Sequence, residues 1–212
     1  EAIYYYIIMK NYSKKTIILE NLENLLCDCS INDNNLDFYL TKCKISKEDF
    51  YSFFPKKIDS LSEFYFEKTY TLAFKSTKAK LIREKSIAKK TNLIVIAFLK
   101  SFFKNSNLSI FFINYIFFKP FLFSKIIYKI ASNIWYDIGD KSIDFNYYTK
   151  RLILYNIIKS SFFYWRKNLD LDATLVFTQD QINLFGKLGK YKSIGKARLK
   201  EKFSFFLQRK NI

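Results

Sequence analysis

The chain contains no histidine. That removes imidazole metal ligands, Ser–His and Cys–His nucleophile pairs, and histidine acid–base catalysis. Glycine and proline are almost as scarce, at Gly 4 and Pro 2 in 212 residues. An all-β fold needs turn chemistry every 8–12 residues or so, and this chain does not supply it. The composition therefore points to α-helix. The three cysteines, Cys27, Cys29 and Cys43, are too few and too odd a set for a disulfide framework, which fits a reducing compartment. Cys27 and Cys29, two apart, face different sides of a helix, so they read as small buried side chains and not as metal ligands. Long apolar runs are also missing. The longest uncharged stretch of the apolar region, Asn105–Phe118, has 14 residues and carries three Asn and two Ser. A membrane-spanning helix needs about 20 apolar residues, so this stretch reads as a buried helix.

Hydrophobic residues make up half of the chain and aromatics 20%, far from the composition of a disordered segment. A chain of 212 residues buries roughly 70% of its unfolded surface without disulfides or metals. Lys+Arg 36 against Asp+Glu 19 gives 36 − 19 = +17. Lysine far exceeds arginine, and Ile, Asn, Phe and Tyr abound, an imprint of AT-rich coding that accounts for part of the excess. The charge is also localised. Residues 75–104 hold nine Lys/Arg and one acid (Glu84), and residues 187–212 hold nine and one (Glu201), a local +8 each. Such a balance suits nucleic acid, anionic lipid or an acidic protein.

Along the chain, Ile18, Leu22, Leu25 and Leu26 recur at helical spacing. The cluster Asp33–Asn35 ends that helix, and Leu36–Leu40 forms a second. Ser46, with Asp49 three residues later, is a helix-start signature. The third helix runs to Phe54, where Pro55 stops it, and a long fourth begins at Ile58. Three short helices before a long one suggest a helix-turn-helix-like subdomain over residues 14–70. Tyr51, Phe54, Lys57 and Leu61 resemble the end of the DNA-binding domain of TetR-type regulators, with the Leu displaced by one. Segments Leu93–Leu99, Leu108–Phe118 and Phe121–Ile138 are apolar helices of a helical domain over 71–190. In residues 191–212, Leu199, Phe203, Phe206 and Leu207 make one face, with Arg198, Lys202 and Arg209 opposite. That is the pattern of an amphipathic helix at a membrane surface, and equally of a terminal helix docked on a bundle.

The run from Ile134 to Arg151 reads as helix, break, helix. Gly139 is a natural residue just past a helix end, and Asp140 or Ser142 can cap the second helix. Asp137, Asp140 and Asp144 read as caps plus an ion pair to Lys150 or Arg151 in preference to a cation site. Asp144, Tyr147, Tyr148 and Arg151 fall at i, i+3, i+4 and i+7, one helix face whose composition suits an interface or packing on a neighbour.

Trp135-Tyr136, Gly139-Asp140, Ser142 and Asp144-Phe145-Asn146-Tyr147-Tyr148-Thr149-Lys150-Arg151 closely resemble the signature of the coenzyme-Q biosynthesis accessory protein nine family. Tyr147 stands where a Trp is common, and Ile143 where a Thr is usual. The likeness continues more loosely to Phe185 through Trp165, Asp170–Asp172, Thr174 and Phe177. It implies an all-α, TetR-like fold that does not read DNA; with no histidine, no Gly-rich loop and no metal cluster, the residues themselves argue against an enzyme, a cofactor or a metal. It implies a peripheral protein of the mitochondrial inner membrane (matrix side) or of a bacterial cytoplasmic membrane, as a homodimer. Such a protein binds an isoprenoid or quinone lipid and presents ubiquinone precursors to the di-iron demethoxyubiquinone hydroxylase. On that basis Phe98, Phe102, Phe112, Tyr115, Ile116, Phe117 and Ile127 are the candidates for lining the lipid site. Asp144, Tyr147, Tyr148 and Arg151 are the candidates for partner binding. Arg198, Leu199, Lys202, Phe203, Phe206 and Leu207 are the candidates for membrane contact. The competing reading is a TetR-type transcriptional regulator. Against it, the third helix offers Lys47 and then Glu48 and Asp49, whereas base readers carry Arg, Lys, Asn or Gln.

Overall fold

A computed structural model of the chain describes residues 2–26, 31–104 and 106–186. They form an all-α bundle with no strand among the described residues. The helices are α1 (Ala2–Leu26), α2 (Leu36–Lys42), α3 (Lys47–Phe53), α4 (Lys57–Arg83), α5 (Ile87–Phe103), α6 (Ser106–Phe117), α7 (Pro120–Asp137), α8 (Asp144–Asn168) and α9 (171–186).

Local chemistry explains the boundaries. Between α1 and α2, the Asn32 and Asn35 side chains accept from each other's backbone N–H groups, at 3.2 and 2.8 Å, closing a loop where the sequence predicts a break. Ser46 caps α3, its Oγ accepting from the Asp49 N–H. Pro55 lies just past the end of α3, and Lys57 starts α4 with a left-handed φ of 50°. Ser86 caps α5 in the same way as Ser46, accepting from the Lys89 N–H. Leu169 ends α8 in the left-handed conformation, and Asp170 then caps α9 through the Ala173 N–H. The short acidic stretch at Asp170–Asp172 is therefore a helix start.

Each long helix buries one stripe. In α5 it is Thr91, Ile94, Val95, Phe98, Leu99, Phe102 and Phe103. In α7 it is Phe123, Ile126, Ile127, Ile130, Ala131 and Ile134. Both repeat at i, i+3, i+4, i+7, the face that a 3.6-residue period turns inward. α4 and α5 form an antiparallel hairpin, and α7 packs on α8. One hydrophobic core joins α1–α3 to the rest, from Leu22, Leu36, Leu40 and Phe50 through Phe66 to Phe162. The boundary expected at residue 70 falls inside α4, whose buried residues run without interruption from Ile58 to Leu81. No single described helix is long and apolar enough to cross a membrane.

The TetR-like pattern residues are structural here. Phe54 is fully buried, Tyr51 donates to Asp37, and Lys57 Nζ donates to the Asp33 carbonyl at 3.1 Å. Cys43 Sγ lies 3.2 Å from the Asn21 carbonyl that it contacts, whereas Cys27 and Cys29 lie outside the described residues.

Candidate functional site

The turn between α7 and α8 is built by glycine and then locked by charge. Gly139 has φ +80°, a conformation that costs any other L-residue strain. The Asp140 N–H reaches the Trp135 carbonyl at 3.0 Å, and the Gly139 N–H reaches that of Tyr136 at 3.0 Å. These two bonds define a Schellman motif, which satisfies the last carbonyls of α7. The sequence expectation for Gly139 holds, but that for the next cap does not. Ile143 occupies the N-cap of α8 and makes no capping bond.

Asp140 faces inward instead. Its side chain is almost fully buried, and Lys150 Nζ donates to it at 2.6 Å. Arg151 stands 3.7 Å from its other oxygen. The Ser142 hydroxyl also donates to it, as does the Ser142 N–H. Burial pushes the Asp140 carboxyl up, but Lys150 and Ser142 outweigh it and hold the group below the usual carboxylate range. Asp140 thus ties the turn to the second turn of α8. Trp135 adds a further tie, its Nε1–H donating to the Lys150 carbonyl at 3.0 Å, with Lys150 Nζ 5.2 Å above its ring.

The helix face expected to carry Asp144, Tyr147, Tyr148 and Arg151 together divides. Arg151 is only 4% exposed. Its guanidinium lies 3.3 Å from the centre of the Tyr147 ring and donates to the Tyr147 carbonyl at 3.0 Å. Arg151 is therefore a support beneath the surface and not part of it, because the buried Asp140 charge draws it inward. Tyr148 is 65% exposed and Tyr147 38%, their rings edge to face at 5.1 Å. Tyr136, Ile143 and Leu152 are exposed around the same turn. The result is an aromatic surface on a rigid base.

Asp137 is separate. It accepts from the Tyr70 hydroxyl, which burial first and Asp137 second push far above the usual phenol range. Asp137 and Asp140 thus engage different partners, and no group of three acids or cysteines poised for a metal occurs among the described residues.

The lipid-lining candidates scatter. Phe98, Phe102, Phe112, Ile116 and Ile127 are core residues. Phe102 alone meets the rings of Tyr65, Phe66, Phe98, Phe103 and Phe162. Phe117 is at the surface beneath Arg166, whose guanidinium is 3.9 Å from its ring centre. None of the seven lines the cleft between α5, α9 and the turn that follows α4. Tyr115 belongs to a polar joint that sequence reasoning missed. Its hydroxyl reaches Asp33 at 2.9 Å and Asp59 at 2.7 Å, and Lys119 Nζ binds the same two acids at 3.4 and 2.6 Å. This joint fastens the loop before α2 to the start of α4 and the end of α6. The partners are 56 to 86 residues apart, and no local pattern announces that distance. The six membrane candidates, Arg198 to Leu207, lie outside the described residues.

The sequence of this region carries a family likeness. Residues 122–189 match the model of the family described as COQ9. In the structure this COQ9 segment is α7, the Gly139–Asp140 turn, α8 and α9, so the match covers the site just described. Trp165, Thr174 and Phe177, the looser elements of the resemblance, have structural places in it. Trp165 stacks on Phe103 at 4.2 Å, Thr174 is buried, and Phe177 stacks on Tyr164 at 4.5 Å. This match supports a role in coenzyme Q biosynthesis. No curated protein and no solved structure matches the chain.

Proposed function

We propose that this protein is a non-enzymatic accessory factor of coenzyme Q biosynthesis. In this reading it holds an isoprenoid quinone intermediate at a membrane surface and presents it to the di-iron demethoxyubiquinone hydroxylase. It works as a peripheral homodimer on the mitochondrial inner membrane or a bacterial cytoplasmic membrane, on a TetR-like scaffold. The observation that carries the reading is the exposed Tyr147–Tyr148 pair at the centre of the COQ9 segment. A large aromatic pair held by a buried Asp140–Arg151 support has the composition and rigidity of a protein-binding hot spot.

The regulator reading finds less support. The exposed polar residues of α3 are Lys47, Glu48, Asp49 and Ser52, and Lys47 is already paired with Asp37 at 3.3 Å. Two uncompensated acids on the helix that would enter a groove oppose the phosphate backbone.

Tyr148→Ala tests the proposal. Because the ring is mostly in solvent, the thermal midpoint stays close to that of the parent. Affinity for the hydroxylase, read by calorimetry with both proteins purified, falls by about 2 kcal/mol or more. An unchanged affinity places the contact elsewhere and defeats this assignment.

A further inference from the structure

The first basic cluster, residues 75–104, suits nucleic acid, anionic lipid or an acidic protein by composition. In the structure its first seven cations, Lys75 to Lys90, surround the tip of the α4–α5 hairpin, while Lys100 and Lys104 lie at the other end of α5. Lys75, Lys78, Ala79 and Ile82 form an exposed stripe down the end of α4, continued by exposed Arg83, Lys85 and Lys89 around the turn. Among the described residues, none of these cations has an ion-pair partner. The single acid of the cluster, Glu84, is occupied by the Ser86 N–H at 2.8 Å.

Two features separate this tip from an ordinary solvated face. The first is charge placed against helix stability. α5 has no acid in its first turn and carries Lys89 and Lys90 there, next to the positive end of the helix dipole. The second is apolar surface among the cations: Ile82 is 75% exposed and Ile87 41%. Isolated aliphatic side chains add nothing to a phosphodiester contact, whereas between cations they enter the boundary beneath lipid headgroups.

The fold adds a juxtaposition that the sequence conceals. Glu84 and Lys89 share a cleft with Asn183 and Gly186 of α9. The chain therefore enters its second basic stretch, residues 187–212, from beside the first. Gly186, the last described residue before that stretch, thus lies beside Lys89 of the hairpin tip.

From this placement we propose that the α4–α5 tip is an anionic-membrane docking surface, with Lys78, Arg83, Lys85 and Lys89 over the headgroups and Ile82 inserted among them. This inference rests on the membrane-surface reading above and assigns that contact to a second element, independent of the amphipathic residues 198–207.

The test uses the full chain and phosphatidylcholine vesicles with and without about one-third phosphatidylserine. Each cation near such a surface changes binding about fivefold, so the combined variant Lys78→Gln, Arg83→Gln, Lys85→Gln binds the anionic vesicles about a hundredfold more weakly. Its thermal midpoint stays near that of the parent, because the three side chains are exposed and unpaired. Ile82→Ser weakens vesicle binding several-fold and leaves binding to duplex DNA untouched. Equal vesicle binding by the triple variant and the parent overturns the proposal, as does an Ile82→Ser variant with unaltered vesicle binding. A parent that prefers duplex DNA to anionic vesicles, with that preference lost in the triple variant, overturns it in favour of nucleic acid. If the parent floats with vesicles, a chain ending at Gly186 does not, and the triple variant does, the tip assignment fails while the membrane reading stands. A parent that binds neither vesicle ends both.

Discussion

Asp140→Asn destabilises the protein by about 3–5 kcal/mol, the usual cost of removing one partner from a buried charge pair. The substitution keeps the shape and most of the hydrogen-bonding geometry but removes the charge. Arg151, 4% exposed, then stays cationic in the core with only the Tyr147 carbonyl and the Tyr147 ring to compensate it. Its Nε is already buried without an acceptor, so the site has no spare polar group to offer. At roughly 2–4 °C per kcal/mol for a chain of this size, the thermal midpoint falls by about 10 °C. Combining Asp140→Asn with Arg151→Met restores part of the loss, because the orphaned charge leaves with its partner. A single mutant that melts within a degree or two of the parent would show that the turn is held by the Schellman bonds alone.

The same carboxylate gives a pH dependence of known sign. Its pKa in the folded state lies below the usual carboxylate value. The contribution to stability is therefore complete above the unfolded pKa of about 4 and is lost as pH falls below it through the folded value. Asp59, which burial raises but Lys119 and Tyr115 bring down on balance, acts in the same window. Urea midpoints measured across that acid range fall for the parent. They fall less steeply for Asp140→Asn, which has already lost one of these groups.

Helical class and most helix starts were legible because their causes are local. Ser46 caps the helix that begins beside it, Gly139 takes a left-handed turn wherever it ends a helix, and the period-3.6 stripes of α5 and α7 need no partner to be seen. The family was legible for a related reason: its signature is one contiguous run, Trp135 to Arg151, within the matched stretch. Burial of Arg151 was not legible. Spacing places it on a face with Tyr147 and Tyr148, but which face points inward is decided by Asp140, across the turn. The Asp33–Asp59–Tyr115–Lys119 joint was hidden for the same reason, since it exists only when α4 and α6 meet. The adjacency of Lys89 to Gly186 likewise belongs to packing and not to pattern. The lipid-lining candidates rest on apolar character together with the family resemblance, and apolar character does not tell a cavity wall from the centre of a core.

Phe102 shows how to separate those two roles. It is fully buried and touches five other rings, among them Phe66 at 4.6 Å and Phe162 at 4.9 Å between centroids. Its backbone carbonyl also accepts hydrogen bonds from the Ser109 hydroxyl and from Tyr65 at 3.3 Å. Burial pushes that Tyr65 hydroxyl up to about 12. Phe102→Ala leaves these backbone bonds available but removes the ring at the point where α4, α5 and α8 converge. Loss of the transferred area plus the cavity left behind costs about 3–5 kcal/mol. Edge-to-face contacts of the kind made with Tyr65 and Phe162 add to the loss. The urea midpoint should fall accordingly, and mass spectrometry of solvent extracts from parent and variant supplies the second readout. A core role predicts a large loss of stability with no change in the lipid recovered per folded molecule. A lining role predicts the opposite: a side chain facing a lipid leaves no new void when shortened, so stability holds while isoprenoid recovery drops. Phe117→Ala is the reference for a surface ring. Because Phe117 is stacked beneath Arg166 and partly exposed, Phe117→Ala costs far less stability than Phe102→Ala on the core account, whereas on the lining account both variants keep their stability and both lose isoprenoid.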